Sequence, residues 1–303
     1  MKHDKDKINS KLDTMGVLDT DFSRVWEEEE TDHSPNYFRS VVEFTWEFFE
    51  NQIKSHDLIF YRRIVRNLLD GDVIIIRGAY SVKEIMEVRQ ICKELSEKPM
   101  PLRHESKDGA GDYYAAANID IAKKLSFYRC NDVFYFYRWN QARIFEIANK
   151  TWPTLKAICG WKTTAFEKTI PSDGFVDRLH VHFYPAGYGE QEPHQDPYLV
   201  QKIIMGHCFG LRGSEYSAGG IYYVNSRGEK LEIEKLLSPG DCYISFPTLV
   251  HGVEKIGVAS SELENTDDAN SGRWFMGFYT IFSDENENKH VGNPFTSNIE
   301  SIK

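Results

Sequence analysis

Arg178-Leu179-His180-Val181-His182-Phe183-Tyr184 alternates between polar and apolar side chains, and after a turn the chain continues as Pro193-His194-Gln195-Asp196-Pro197. Alternation with period 2 marks a strand with one polar and one apolar face. On an extended segment His194 and Asp196 point to the same side, so an imidazole and a carboxylate reach one metal ion together. A third ligand must come from elsewhere. The best candidate is His251, in Phe246-Pro247-Thr248-Leu249-Val250-His251-Gly252, just after another short strand. Two imidazoles and one carboxylate on one face of an octahedral metal leave three positions open, which suits Fe(II) taking a bidentate ligand and O2. A structural zinc site would close its fourth position instead.

The texture around this segment is that of an all-β barrel or sandwich. Strands are expected at 178–184, 203–211, 220–224, 230–233, 241–246, 252–256 and 273–282, with turns at 185–189, 213–219, 226–228 and 238–240. In a barrel with a covered outside, the polar face of the first strand lines the pocket. Tyr184 and His182 are therefore candidate cofactor-binding residues, with Arg178 and His180 deeper along the same face. Gln201, Lys202, His207 and Arg212 lie near the strand after the metal pair and are weaker candidates for ligand contact.

Upstream the pattern changes. Residues 1–35 are polar and acidic and read as a flexible or loosely packed lead-in. Apolar residues from Phe38 to Ile53 and from Leu58 to Leu68 recur at helical spacing and suggest two helices. Val73-Ile74-Ile75-Ile76 reads as a buried strand closed by Gly78, and Ser81 with Glu84 as a capping box opening a helix to about Ser96. Residues 104–118 read as a loop, and 134–150 as helical. The expected organisation is a lead-in over 1–35, a helical region over 36–176 and a β core over 177–303. The aromatic run from Phe127 to Trp139 reads as core rather than a stacking platform, and its Arg129 and Arg138 are weaker candidates for meeting an anionic substrate.

Composition excludes several classes. The 303-residue chain is 41% hydrophobic and 27% charged, which fits a soluble globular protein. Its formal net charge of −10 comes with no basic stripe, so nucleic acid is not an expected partner. The acidic runs 27–30 and 262–268 read as solvated faces. Five scattered cysteines without CxxC spacing argue against a disulfide framework and a zinc–thiolate site. No signal peptide is visible and no apolar run is long enough to span a membrane, so a cytoplasmic location is expected. The chain holds no Walker-type loop, no GxGxxG opening a helix and no GxSxG elbow.

With His-x-Asp, a distal His and Arg273 on the next strand in view, residues 178–282 resemble the double-stranded β-helix core of the iron(II)/2-oxoglutarate dioxygenase superfamily. The spacing is most similar to the prolyl-hydroxylase-like and phytanoyl-hydroxylase-like branches. The resemblance implies a jelly-roll core flanked by helices, with Fe(II) held by His194, Asp196 and His251. It implies 2-oxoglutarate as co-substrate with its far carboxylate on Arg273, and O2 as oxidant. A tyrosine at the place of Tyr184 resembles one near the metal in prolyl hydroxylases. Arg273, in Gly272-Arg273-Trp274, follows His251 at more than the usual distance, the excess being the polar stretch 259–272, which reads as an inserted loop.

The implied activity is hydroxylation of a small-molecule, lipid or sugar substrate with release of succinate and CO2. Related halogenases lack a carboxylate where Asp196 stands. The same cofactors also serve desaturation, cyclisation, epimerisation or hydroxylation of a protein residue, and a rival of another class is a non-catalytic jelly-roll binding protein. The stretch 104–118, with Gly109, Gly111, Tyr113 and Tyr114, is expected to close over the site as a lid.

Overall fold

The computed structural model describes residues 2–31, 34–97, 113–125, 127–139, 141–198, 200–259, 271–283 and 293–294. The chain enters through two helices, α1 (Lys2–Thr14) and α2 (Thr20–Glu29). The expected flexible lead-in is thus folded. Asp19 caps α2 through the amides of Asp21 and Phe22. Ile8, Leu12, Phe22, Val25 and Trp26 are buried, and the Trp26 indole donates to the Ile158 carbonyl at 2.7 Å. The charge-rich sequence hides a short apolar stripe at i, i+3 and i+4. Nor is the acidic run 27–30 merely solvated, because Glu29 accepts from Arg62 and, at 2.7 Å, from Arg66.

The first expected helix is divided. Val41–Thr45 is a strand, β1, and only Trp46–Lys54 is helical, α3, with Thr45 as its N-cap. β1 lies parallel to β2 (Val73–Arg77), with Val41 opposite Val73. The β-branched pair Val41-Val42 covers the edge of a wholly buried strand, and that pairing overrides the helical spacing of the apolar residues. Between them runs α4 (Leu58–Leu69), and after β2 comes α5 (Val82–Ser96), which carries the Ser81–Glu84 capping box.

The aromatic run also corrects the sequence reading. Tyr113–Ala117 forms β3, antiparallel to β4 (Arg129–Tyr137), with the short helix α6 (Ile119–Ala122) between them. Helix in 134–150 is confined to α7 (Ala142–Ala148), followed by α8 (Trp152–Ile158). Val133 to Tyr137 are all buried. A strand covered on both faces loses the alternation that would mark it, and its apolar run reads as helix. Residues 104–112 of the expected lid and 260–270 of the expected inserted loop lie outside the described residues.

From Phe175 the chain shuttles between two facing sheets. Its strands are β5 (Phe175–Pro185), β6 (Glu190–Gln195), β7 (Ile204–Cys208), β8 (Gly220–Val224), β9 (Lys230–Glu232), β10 (Cys242–Ser245), β11 (His251–Glu254), β12 (Gly272–Phe282) and β13 (Asn293–Pro294). One sheet runs β5-β12-β7-β10, extended by β2 and β1 at one edge and by β4 and β3 at the other; the second runs β6-β11-β8-β9. This is the double-stranded β-helix. β4 joins the sheets at one corner, pairing with β5 over most of its length and with β6 through Arg129 and Cys130. A hydrogen bond of 2.9 Å between the Tyr223 and Ser245 hydroxyls links them across the barrel. Among the described residues no helix is long and apolar enough to cross a membrane, and all five cysteines are buried free thiols.

Helix and barrel are locked by a buried ion pair. Lys156 of α8 donates to Asp177 of β5 at 2.6 Å, with both side chains 1% exposed. Asp177 also accepts from Arg138 at 3.1 Å and from Thr280 at 3.0 Å. Burial lowers the Lys156 pKa against the opposing pull of Asp177. Removing one partner strands a buried charge, so Asp177→Ala is expected to cost about 3–5 kcal/mol of stability. Urea denaturation checks this; a loss below about 1 kcal/mol, the range of exposed pairs, would contradict it.

Candidate metal centre

His194 and His251 face each other across one register position of β6 and β11, with ring centroids 4.3 Å apart. Gln195 points the other way, its amide donating to the Thr248 carbonyl at 2.5 Å. Asp196 follows β6, anchored by its backbone N–H to the Pro247 carbonyl at 3.0 Å. Its carboxylate oxygens lie 3.8 Å from His194 Nε2 and 3.9 Å from His251 Nε2. One ligand atom from each of the three residues falls within 4.8 Å of the others. Cis ligands at about 2.1 Å from a metal stand about 3 Å apart, so a small inward movement closes the set.

The backbone fixes both imidazoles in the tautomer a metal site needs. His194 Nδ1–H donates to the Glu192 carbonyl at 2.9 Å and His251 Nδ1–H to the Leu249 carbonyl at 2.8 Å. The Nε2 lone pairs therefore point into the site, His194 Nε2 accepting there from the Gln191 amide at 3.2 Å, a contact that a metal would replace. Burial, reinforced by His251 and opposed by Asp196, pushes the His194 pKa down to about 4. The Phe127 ring stacks on His194 at 4.7 Å and shields it.

Arg273 opens β12 opposite Tyr184 of β5 and is 1% exposed. Its Nε donates to Glu234 at 2.7 Å, and Glu234 also accepts from the Tyr216 hydroxyl at 2.5 Å and the Ile221 amide at 2.9 Å. A Cβ on Gly220 would lie 2.3 Å from the Glu234 side chain, so the glycine there makes room for this carboxylate. Burial opposes the arginine's charge, but Glu234 and the surrounding tyrosines more than offset it and its pKa is raised. Part of the guanidinium is therefore engaged within the chain, while Nη2 is buried with no partner among the described residues.

His182 hydrogen-bonds Asn131 at 2.9 Å through Nδ1, while its Nε2 is buried without a partner among the described residues. Burial, then Arg129 and Arg273, push its pKa down to about 3, so it is neutral. The Tyr184 hydroxyl donates to Gln191 at 2.7 Å, and the Gln191 amide reaches His194 Nε2 at 3.2 Å. The sequence did not reveal Gln191. Residues 191 and 194 would point to opposite faces of a regular strand, but the register slips between His251 and Val253, so β6 carries a bulge that brings both to one face. Glu234 was missed because a lone glutamate in a charged stretch carries no sequence signal.

Other candidates lie elsewhere. Lys202 sits 3.4 Å from Glu30 and over the Trp26 ring, and Gln201 bonds backbone atoms of Ile203, Phe278 and Thr280. Arg212 shares an isolated backbone bridge with Tyr216 and, among the described residues, is not part of the metal cluster. Arg138 is held by Asp177 and Asn149. Arg178 donates to His180 at 2.7 Å farther along β5. His207 faces outward, its Nδ1 on the Met276 carbonyl at 3.0 Å and its ring against Tyr80 and Phe278.

Burial pushes the His207 pKa from 6.5 down to about 3. Between those values the unfolded chain binds a proton that the folded protein excludes. The stability His207 permits is whole above pH 6.5 and drains as the pH falls toward 3, by about 1.4 kcal/mol per pH unit. His207→Gln is expected to flatten the acid limb of stability against pH by about that slope. An unchanged limb would contradict the assignment.

No family model matches this chain, and no curated protein matches it. Solved structures similar to it include a full-length Neurospora crassa protein in complex with alpha-KG, at 10% identity and TM-score 0.47, covering 80% of this chain and 84% of that one. A Trichoplax adhaerens prolyl hydroxylase in complex with a hypoxia inducible factor peptide fragment is similar at 10% identity and TM-score 0.45, covering 79% and 92%. A Pseudomonas putida prolyl-4-hydroxylase is similar at 10% identity and TM-score 0.46, covering 73% and 99%.

Proposed function

We propose that this protein is an Fe(II)- and 2-oxoglutarate-dependent oxygenase that hydroxylates a small-molecule, lipid or sugar substrate. The observation that carries the reading is the convergence of two imidazoles and one carboxylate, one ligand atom of each within 4.8 Å of the others, with both Nδ1 atoms tied to the backbone. Three ligands on one face leave the opposite face open, as catalysis requires and a structural site does not. The donor set fits the co-substrate as well: the unpartnered Nη2 of Arg273 and Nε2 of His182 offer buried polar atoms that a carboxylate would satisfy.

In this reading His194, Asp196 and His251 hold the iron, which when bound supplies the chemistry that couples 2-oxoglutarate decarboxylation to substrate oxidation by O2. The chain's own residues orient and exclude. Glu234 fixes Arg273 so that its free edge meets the far carboxylate. Tyr184, through Gln191, steadies the wall between Arg273 and His194. Phe127 keeps water off one face of the His194 ring. His194 and His251 are only 5% and 6% exposed, so the reacting group must enter a pocket, which favours a small substrate or a projecting side chain. The retained carboxylate of Asp196 favours return of hydroxyl rather than halide.

Succinate formation from 2-oxoglutarate under O2 tests the reading. Wild-type protein is expected to release succinate only with Fe(II), and His194→Ala, Asp196→Ala and His251→Ala each to fall to background while remaining folded. Arg273→Lys is expected to raise KM for 2-oxoglutarate, and Arg273→Ala to cost about 2–5 kcal/mol of co-substrate affinity. Absent succinate formation by wild-type protein would leave a jelly-roll binder instead, and iron-independent succinate formation would contradict the metal assignment.

A further inference from the structure

Arg129 is the first residue of β4, at the corner where that strand pairs with Gln191 of β6. It is half-buried, and its side chain has no hydrogen bond or ion pair among the described residues. Its one ring contact is with Phe127, whose centroid lies 5.7 Å away and which itself stacks on His194. A guanidinium thus stands one aromatic ring from a candidate metal ligand, with no carboxylate in ion-pair contact among the described residues.

Two residues along β4, on the same face, Asn131 bonds His182. Asn131 Oδ1 and His182 Nε2 are both buried and unpartnered among the described residues. If Asn131 donates to Nδ1, His182 carries its proton on Nε2; if the amide is turned, Asn131 presents its NH2 instead. Either way a neutral donor accompanies the cation. Arg273, two strands away beyond β5, already has its charge offset by Glu234. A dianion entering this barrel therefore lacks a full second positive charge on the Arg273 side.

We propose that Arg129, with the His182–Asn131 pair, is a second carboxylate-binding site on the β4 side of the metal. The carboxylate comes either from the end of 2-oxoglutarate next to its keto group or from the primary substrate. The first source rests on the function proposed above; the anion site itself does not.

The test uses Mn(II)-loaded wild-type, Arg129→Gln and Arg129→Lys protein, with binding read by calorimetry. The probes are 2-oxoglutarate, 4-oxopentanoate (which lacks the carboxylate beside the keto group), and acetate and benzoate added to 2-oxoglutarate-saturated protein. If the co-substrate is the source, Arg129→Gln weakens 2-oxoglutarate by about tenfold or more, leaves 4-oxopentanoate unchanged, and Arg129→Lys recovers part of the loss. If the primary substrate is the source, 2-oxoglutarate is unchanged and Arg129→Gln abolishes the acetate or benzoate binding seen in wild type. Repeating the acetate and benzoate titrations without manganese separates the two readings, since an Arg129-dependent loss there upholds the anion site even where no metal binds. The proposal is overturned if Arg129→Gln changes none of these affinities, if it weakens 4-oxopentanoate as much as 2-oxoglutarate, or if wild-type protein binds none of the probes.

Discussion

The pairing of β11 with β6 is the constraint on which the site depends. It sets His251 directly across from His194 and places Asp196, one step past the end of β6, against both Nε2 atoms. A slip of one residue would turn either imidazole to the opposite face. That register is held from several sides. β8 flanks β11 with Tyr223 opposite His251, the Asp196 amide is tied to Pro247, and Gln195 is tied to Thr248. The candidate ligands thus sit on paired strands whose hydrogen bonds are satisfied before any ion arrives, which is the preorganisation a catalytic metal site needs.

Electrostatics divide the barrel interior into two parts. On the β12 side, Arg273 and Glu234 form a buried, hydrogen-bonded pair whose charges largely cancel, so their joint role is geometric: an arginine aimed and unable to swing. On the β4 side, the Arg129 side chain has no ion-pair partner among the described residues. Between them, β5 presents His182 and Tyr184, one a neutral imidazole and the other tied through Gln191 to His194. The outer ion pairs of Arg62 and Arg66 with Glu28 and Glu29 are solvent-screened and contribute little.

Much of this was legible in the sequence where one face of a strand is polar. The period-2 alternation of 178–184 and the His-x-Asp step show which side chains share a side, and β5 with the end of β6 bring those residues together as the spacing requires. The capping box at Ser81 and Glu84 was legible because it is a local hydrogen-bond pattern. What was lost depends on tertiary contacts. β1 was hidden because its apolar residues also fit a helix until β2 is there to pair with. β4 was hidden because burial on both faces erases alternation. Gln191 needs a bulge that no residue type announces, and Glu234 becomes part of the site only because Gly220 leaves it room.

The central claim is that His194, Asp196 and His251 hold one metal ion. Crystals soaked with Fe(II) without oxygen, and measured for anomalous scattering at the iron edge, test it most directly. A single strong peak is expected within about 2.2 Å of His194 Nε2, His251 Nε2 and an Asp196 oxygen. A peak bound elsewhere, or none between these three side chains at saturating iron, would contradict it.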